Sequence, residues 1–208
     1  MCVHVALLAA LVLPVALGAR AATAGTFNPD RSIGDVVPAW ADLVGTDDRR
    51  HGWADVADRD AVVVVFTCTS CPYAVDYEDR LNELAERHAG PQSRVAVVAI
   101  NANRIAADAL PAMKARAALK HFLFPYLFDE SQAVARSFGA VRTPECFVLD
   151  RERRIVYMGA LDDATDPAKV TRRHVDDAVD AVLAGRPVAV PETPPVGCQI
   201  RYERRRGR

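Results

Sequence analysis

The stretch Ala61-Val-Val-Val-Val-Phe-Thr-Cys-Thr-Ser-Cys-Pro-Tyr73 joins an unbroken apolar run to a pair of cysteines. Such a run, without polar alternation, is typical of a strand buried on both faces in the middle of a covered sheet. After Pro72, apolar residues recur at steps of three and four until Gly90, which predicts a helix with a glycine stop. The sequence therefore predicts Cys68 and Cys71 at a junction between a buried strand and a helix.

The chain continues as an alternation of strand-like and helix-like segments. We predict strands over residues 95–100, 146–149 and 155–158, the last two as a hairpin, and helices over residues 110–120, 132–138 and 172–183. Residues 25–60 predict an irregular lead-in, and residues 122–128 an aromatic connection. Alternating strands and helices imply a mostly parallel sheet covered on both faces, an α/β fold.

The composition is that of an ordinary globular protein. The 208 residues are 50% hydrophobic and 25% charged, with a formal net charge of -1. This near-neutral balance argues against a nucleic-acid partner. We divide the chain into a single domain over residues 25–186 and a Pro-rich, basic C-terminal tail over residues 187–208, whose arginine-rich end we expect to be solvated.

The first residues differ from the rest. The apolar run Val5 to Leu17 has the length of a signal-peptide core, and small residues follow it. We expect residues 1–24 to be a signal peptide and the protein to be exported to the periplasm or the extracellular space. The alternative is an uncleaved N-terminal anchor, the one expected route to membrane association. Cleavage would remove Cys2 and deliver four cysteines to an oxidising compartment.

The cysteine pair predicts redox chemistry. A helix N-terminus favours an anion, so we expect the pKa of Cys68 to fall and this thiolate to attack. Cys71, one turn on, is placed to resolve the mixed disulfide. The hydroxyls of Thr69 and Ser70 either donate to sulfur or cap the helix. A zinc site is disfavoured because no second close cysteine pair exists, and we expect no metal and no organic cofactor.

Five segments carry a resemblance to a known family. They are Phe66-Thr-Cys-Thr-Ser-Cys-Pro-Tyr73, Val97-Val-Ala-Ile-Asn-Ala-Asn103, Arg142-Thr-Pro-Glu-Cys-Phe-Val-Leu-Asp150, Tyr157-Met-Gly-Ala-Leu-Asp-Asp163 and Val196-Gly-Cys-Gln-Ile200. With them, residues 32–198 resemble the thioredoxin-like superfamily and its redoxin (AhpC/TSA-like) branch. The resemblance implies a thioredoxin-like fold, a central mixed β-sheet with helices on both faces. It also implies a thiol–disulfide oxidoreductase whose partners are redox proteins or small thiols and disulfides.

The resemblance gives Thr143-Pro144 a role. In this fold a proline at that place takes the cis form beside the active-site disulfide, and we expect the same of Pro144. The neighbouring backbone would then pair with an incoming peptide or small thiol as a short extra strand. We therefore count Thr143 and Pro144, together with Thr69 and Ser70, as substrate-binding residues.

The sequence also departs from its relatives. The acidic residue that many thioredoxins bury six positions before the first cysteine is Val62 here, and Thr67 replaces a common tryptophan. Glu145 is our candidate for the missing proton-transfer group, the alternative being a carboxylate that points to solvent. The P-x-x-x-T-x-x-C block of peroxiredoxins does not fit either cysteine. A peroxiredoxin-like thiol peroxidase is thus disfavoured and kept as an alternative.

Two further cysteines lie downstream. We expect Cys146, on a predicted strand, to face the core as a small apolar residue. Cys198 lies in the tail, where it has three possible roles: a resolving thiol, a partner for Cys146, or a free structural thiol. A metal-binding, copper-delivery module is the alternative that is not a redox enzyme. It is disfavoured because only two residues separate the cysteines and no Met/His-rich stretch is present.

Overall fold

The architecture is that of a computed structural model, which describes residues 24–204. All but the last residue of the predicted signal peptide lies outside this range. Within it, no helix combines the length and the apolarity that crossing a membrane requires.

Within residues 24–204 there are nine strands and four α-helices. The strands are β1 (Leu43–Gly45), β2 (Arg50–His51), β3 (Ala61–Phe66), β4 (Val95–Asn101), β5 (Tyr126–Phe128), β6 (Arg142–Thr143), β7 (Glu145–Asp150), β8 (Ile155–Gly159) and β9 (Cys198–Gln199). The helices are α1 (Pro72–Arg87), α2 (Leu110–Lys120), α3 (Ala133–Phe138) and α4 (His174–Leu183).

Seven strands make one mixed sheet in the order β2-β1-β5-β4-β3-β7-β8, and β6 and β9 form a separate antiparallel pair. Within the large sheet β4 is parallel to β3 and to β5, and the other neighbours are antiparallel. The mixed sheet is confirmed, and the mostly parallel sheet expected from the alternation is wrong. The cause is that the hairpin and the lead-in segment add antiparallel strands on the two sides of a parallel centre.

The central strand β3 supplies both halves of the core. Its six residues are fully buried. Val63 and Val65 pack in the cluster that contains α1 and α4, whereas Val62, Val64 and Phe66 pack in the opposite cluster with α3. Burying such a side chain contributes about 1.5–3 kcal/mol, so a strand apolar on both faces is stable only in this position. The helix-covered fold predicted from the first stretch of sequence is confirmed.

The sequence misses the three short strands on one side of the large sheet. The lead-in predicted to be irregular forms β1 and β2, and the aromatic connection contains β5, which pairs with β1 and β4. Strands of two or three residues are too short to show a period. By contrast, the predicted helices and the hairpin lie within a few residues of the observed α1 to α4, β7 and β8.

Candidate functional site

The cysteine pair lies at the strand–helix junction, as predicted. β3 ends at Phe66, and α1 begins at Pro72 with Cys71 as its N-cap. Proline suits the first helical position because its missing N–H would have no partner there. The two cysteines are almost fully buried, with 3% of Cys68 and 2% of Cys71 exposed, and they pack together with Ala74.

Thr143 stands between the two thiols. Its peptide bond to Pro144 is cis, which confirms the expectation from the resemblance. The Thr143 Oγ1 lies 3.4 Å from the Cys68 Sγ, and the Thr143 carbonyl oxygen accepts from the Cys71 Sγ at 3.1 Å. The residue before the cis proline therefore contacts each sulfur through a different group.

A fully buried carboxylate, Asp108, organises the loop between the cysteines. Its Oδ1 accepts from the backbone N–H of Thr69 at 2.9 Å and of Ser70 at 2.8 Å, and from the Thr69 hydroxyl at 2.9 Å. Its Oδ2 accepts from the Ser70 hydroxyl at 2.7 Å and from the Asn103 Nδ2 at 3.0 Å. Five donors thus satisfy one buried charge and fix the loop.

Neither predicted role of Thr69 and Ser70 matches these contacts. The Ser70 hydroxyl donates to Asp108, and the Thr69 hydroxyl is directed at Asp108 and the Ala107 carbonyl, so neither caps α1. The Ser70 Oγ is 3.9 Å from the Cys68 Sγ, at the outer limit of a hydrogen bond to sulfur. The substrate-binding role of these two residues has no direct support in this geometry. Sequence reasoning missed Asp108, although Asn101 ends β4, the strand parallel to β3, and the polar Asn103 and Asp108 follow it. The ends of adjacent parallel strands are where α/β sites form.

The acidity of the thiols is the reverse of our expectation. Burial raises the pKa of Cys68, and the Asp108 carboxylate raises it further, against the Thr143 hydroxyl and the Cys71 N–H, which lower it. Burial also acts to raise the pKa of Cys71. The Cys198 side chain and the N–H groups of Ala74 and Cys198 outweigh it, so that the pKa of Cys71 is lowered. The expected low pKa of Cys68 is wrong because the helix starts at Cys71, so its N-terminal N–H groups face that sulfur.

Glu145 is neither a base beside the thiols nor a solvent-facing side chain. Its Oε2 accepts from the backbone N–H of Val141 at 2.7 Å and of Arg142 at 2.9 Å, and only 2% of the residue is exposed. Burial raises its pKa to about 7. Within residues 24–204, no hydrogen bond joins this carboxyl to a cysteine. Its role here is to hold the chain that leads into Pro144.

The two downstream cysteines, Cys146 and Cys198, lie in different parts of the structure. Cys146 is fully buried in the core beside Val63, Val65 and Val148, as predicted. Burial raises the pKa of the Cys146 thiol. Cys198 packs against the Cys68–Cys71 pair, so its pairing with Cys146 is wrong.

The backbone edge beside Pro144 is occupied by the chain's own tail. β9 pairs with β6 in the register Thr143–Cys198 and Arg142–Gln199. The predicted docking edge for a substrate is therefore not free in this structure. In the described part of the chain, no group of three or more His, Cys, Asp or Glu side chains is arranged to hold a metal ion.

Comparisons with known proteins identify the family of the chain. The Redoxin family model matches residues 31–178. A hypothetical protein from Sinorhizobium meliloti 1021 is 35% identical with a TM-score of 0.78, covering 86% of this chain and 99% of its own. An uncharacterized conserved protein from Geobacillus kaustophilus is 33% identical with a TM-score of 0.76, covering 83% and 93%.

A more distant structure shares the fold alone. Peroxidoxin BcpB from Mycobacterium tuberculosis is 22% identical with a TM-score of 0.57, and the match covers 74% of this chain and 97% of that one. No curated protein matches this chain.

Replacing Asp108 tests its control of the loop and of Cys68. Asp108→Asn turns one acceptor into a donor that faces other donors, so we expect a loss of about 2–4 kcal/mol in the free energy of unfolding. Removal of the charge lowers the pKa of Cys68, so its alkylation at neutral pH should accelerate. Denaturant titration and alkylation followed by tandem mass spectrometry measure the two effects.

Asp129→Asn is the matched control, because Asp129 is also fully buried and accepts backbone N–H groups, those of Ala133 and Ala135. We expect it to lower stability by a similar amount and to leave the alkylation of Cys68 unchanged. Equal effects of the two variants on the alkylation of Cys68 would contradict the proposed control of Cys68 by Asp108.

The raised pKa of Glu145 predicts a pH-dependent stability. The folded state binds this proton more tightly than the unfolded state, so the contribution is fully present below the ordinary carboxyl pKa and is lost as the pH rises through about 7. Between about pH 4.5 and pH 8, ionisation of this group should lower the free energy of unfolding by about 3 kcal/mol. Denaturant titrations should show that loss shrinking in Glu145→Gln but persisting in Glu152→Gln, whose side chain is exposed.

Proposed function

This chain belongs to the Redoxin family, which supports oxidoreductase chemistry, and we propose that it is an exported thiol–disulfide oxidoreductase acting through the Cys68–Cys71 couple. The observation that carries the proposal is the convergence of both thiols on Thr143, next to a cis proline. Two cysteines that are separated by two residues at a helix N-terminus form a dithiol that can exchange with a disulfide.

We assign the first attack to Cys68. The Cys68 thiolate displaces one sulfur of a substrate disulfide, forming a mixed disulfide and releasing one substrate thiolate. Cys71 then attacks the Cys68 sulfur, which releases the second substrate thiolate and leaves a Cys68–Cys71 disulfide. Two electrons pass from the chain to the substrate, and the protons of the two thiols leave with them. No metal or organic cofactor takes part in these steps.

Two donors to the Cys68 sulfur support this assignment, although the pKa of Cys68 is raised and that of Cys71 is lowered. The Thr143 hydroxyl and the Cys71 N–H are aimed at its sulfur, and both act to lower its pKa. Because burial and Asp108 dominate, however, the thiol keeps its proton at neutral pH. The rate should therefore rise with pH well above neutrality, unlike that of a thiol with a depressed pKa.

The direction of the reaction depends on the reduction potential of the couple. A potential near about -270 mV favours reduction of the substrate, and one near about -120 mV favours its oxidation, with about 30 mV equal to 1.4 kcal/mol for two electrons. Burial and Asp108 both disfavour a thiolate at Cys68. A stabilised thiolate is what makes a dithiol a strong oxidant, so we propose a reductase.

The peroxiredoxin-like alternative has less support in the site. The P-x-x-x-T-x-x-C block of peroxiredoxins fits neither Cys68 nor Cys71. A copper-delivery module would instead bind one copper ion per chain, lose that binding in Cys68→Ser, and show negligible reduction of insulin disulfides.

Equilibration of the full chain with glutathione tests the proposed function. We expect one reversible Cys68–Cys71 disulfide, abolished in Cys68→Ser and in Cys71→Ser and retained in Cys146→Ala, whose thiol lies in the core. Reduction of insulin disulfides should fall at least a hundredfold in the first two variants. Failure to form the disulfide, or rapid peroxide consumption that depends on one cysteine, would overturn the proposal.

Export is the second part of the proposal and rests on the apolar run near the N-terminus. Fractionation of cells that express the full chain should recover it outside the cytoplasm with its first residues removed. A variant with Leu11→Arg, which places a charge in that run, should stay inside. Equal distribution of the two chains contradicts the proposal.

A further inference from the structure

The C-terminal tail brings a third thiol to the site. β9 pairs with β6 so that Cys198 lies opposite Thr143, the residue that contacts both buried thiols. Cys198 packs against the cluster of Cys68, Cys71 and Ala74. The tail thus places three sulfur atoms around one threonine.

Contacts on both sides of Cys198 hold the tail in this position. Before it, the Gly197 carbonyl accepts from the Arg142 Nη1 at 2.8 Å. After it, the Ile200 N–H donates to the Val141 carbonyl at 2.9 Å, and the Arg201 N–H donates to the Asn103 Oδ1 at 2.8 Å. The described arginines of the tail, Arg201 and Arg204, are exposed as expected, but Ile200 is buried and the Glu203 N–H donates to the Gln132 Oε1 at 2.8 Å, so the tail is held as far as residue 203.

Gly197 allows the tail to approach the cis proline closely. A Cβ at this position would lie 2.1 Å from the Thr143 carbonyl oxygen and 3.0 Å from the Pro144 nitrogen. Both atoms belong to the backbone and cannot move aside easily. Glycine is therefore required for β9 to lie on this edge.

The three sulfur sites differ in their access to solvent. Cys68 and Cys71 are 3% and 2% exposed, whereas Cys198 is partly exposed. A thiol or disulfide that approaches from solution reaches Cys198 before it reaches the pair. Cys198 in turn contacts Cys71.

We propose that Cys198 is a third redox thiol, which exchanges with Cys71 and passes electrons between the buried pair and an external dithiol. This inference rests on the proposed function of the Cys68–Cys71 couple. It gives the buried couple a route to its electron donor that leaves the tail in place.

Each exchange step conserves electrons. The Cys198 thiolate attacks the Cys71 sulfur of the Cys68–Cys71 disulfide, forming a Cys71–Cys198 disulfide and releasing the Cys68 thiolate, which takes up the proton that Cys198 lost. One thiol of the external dithiol then attacks the Cys198 sulfur and releases the Cys71 thiolate. The second external thiol displaces Cys198, so that the external dithiol is oxidised by two electrons and all three cysteines are reduced.

The acidities of Cys71 and Cys198 suit the second step, in which the external thiol attacks Cys198 and Cys71 leaves. The interaction with Cys71 is the largest influence that raises the pKa of Cys198, to about 11, and the same interaction lowers that of Cys71. The Cys71 thiolate is therefore the better leaving group when an external thiol attacks Cys198.

The Cys68→Ser variant isolates the new pair. We expect diamide to convert the full-length variant to a monomer with a Cys71–Cys198 disulfide, identified by mass spectrometry of the alkylated peptides. Adding Gly197→Ala should slow this cross-link at least tenfold, because the tail can no longer lie on Thr143. If oxidation leaves Cys71 and Cys198 without an internal cross-link, the inference fails.

Reduction of the oxidised chain supplies the second measurement. Cys198→Ser keeps the tail and the Cys68–Cys71 disulfide, and it should slow reduction of that disulfide by dithiothreitol at least fivefold, whereas Cys146→Ala should not. An unchanged or faster rate overturns the role of Cys198 and leaves the proposed function standing. Absence of the Cys68–Cys71 disulfide in the wild-type chain would instead refute the proposed function.

Discussion

The buried carboxylate of Asp108 is the constraint on which the site depends. An ionised carboxyl without partners is strongly disfavoured in a protein interior, and here five donors satisfy it. Four of the five come from Thr69 and Ser70, so the loop between the cysteines has one arrangement in which the charge is stable. The fifth comes from Asn103, whose Oδ1 accepts a hydrogen bond from the backbone N–H of Arg201 in the tail. One charge thus fixes both the cysteine loop and the segment that covers it.

The same charge explains why the two thiols differ. Asp108 lies on the Cys68 side of the loop and disfavours a second negative charge there, whereas Cys71 caps α1 and faces its free N–H groups. A carboxyl near a thiol pair serves as a proton-transfer group only if it can reach the proton that moves. Here the acid is fully engaged by hydrogen bonds, so its contribution is to position the loop and to keep Cys68 protonated. Glu145 is likewise engaged, by the backbone that precedes Pro144.

Local patterns in the sequence predict β3, α1, the hairpin and the cysteine pair, because each is encoded by neighbouring residues. The cis proline was predicted by resemblance rather than by any pattern of its own. Asp108 was missed because its partners lie almost forty residues earlier, at 69 and 70, and nothing in a single sequence joins them. The sequence does not determine the position of Cys198 for the same reason. Its pairing with Thr143 spans 55 residues and depends on Gly197, whose lack of a side chain becomes meaningful only beside Thr143.

The tail also limits the substrates that the site can take. A peptide that adds as a strand beside Pro144 must first displace β9, which breaks the hydrogen bonds of Gly197, Ile200 and Arg201 and exposes Ile200. At about 0.5–1.5 kcal/mol for each hydrogen bond and about 2 kcal/mol for the isoleucine, displacement costs roughly 4–6 kcal/mol. That is a factor of about a thousand or more in affinity. A small thiol or disulfide that reaches Cys198 from solvent does not incur this loss. The occupied edge therefore favours small molecules, or proteins that present a flexible cysteine, over substrates bound as an added strand.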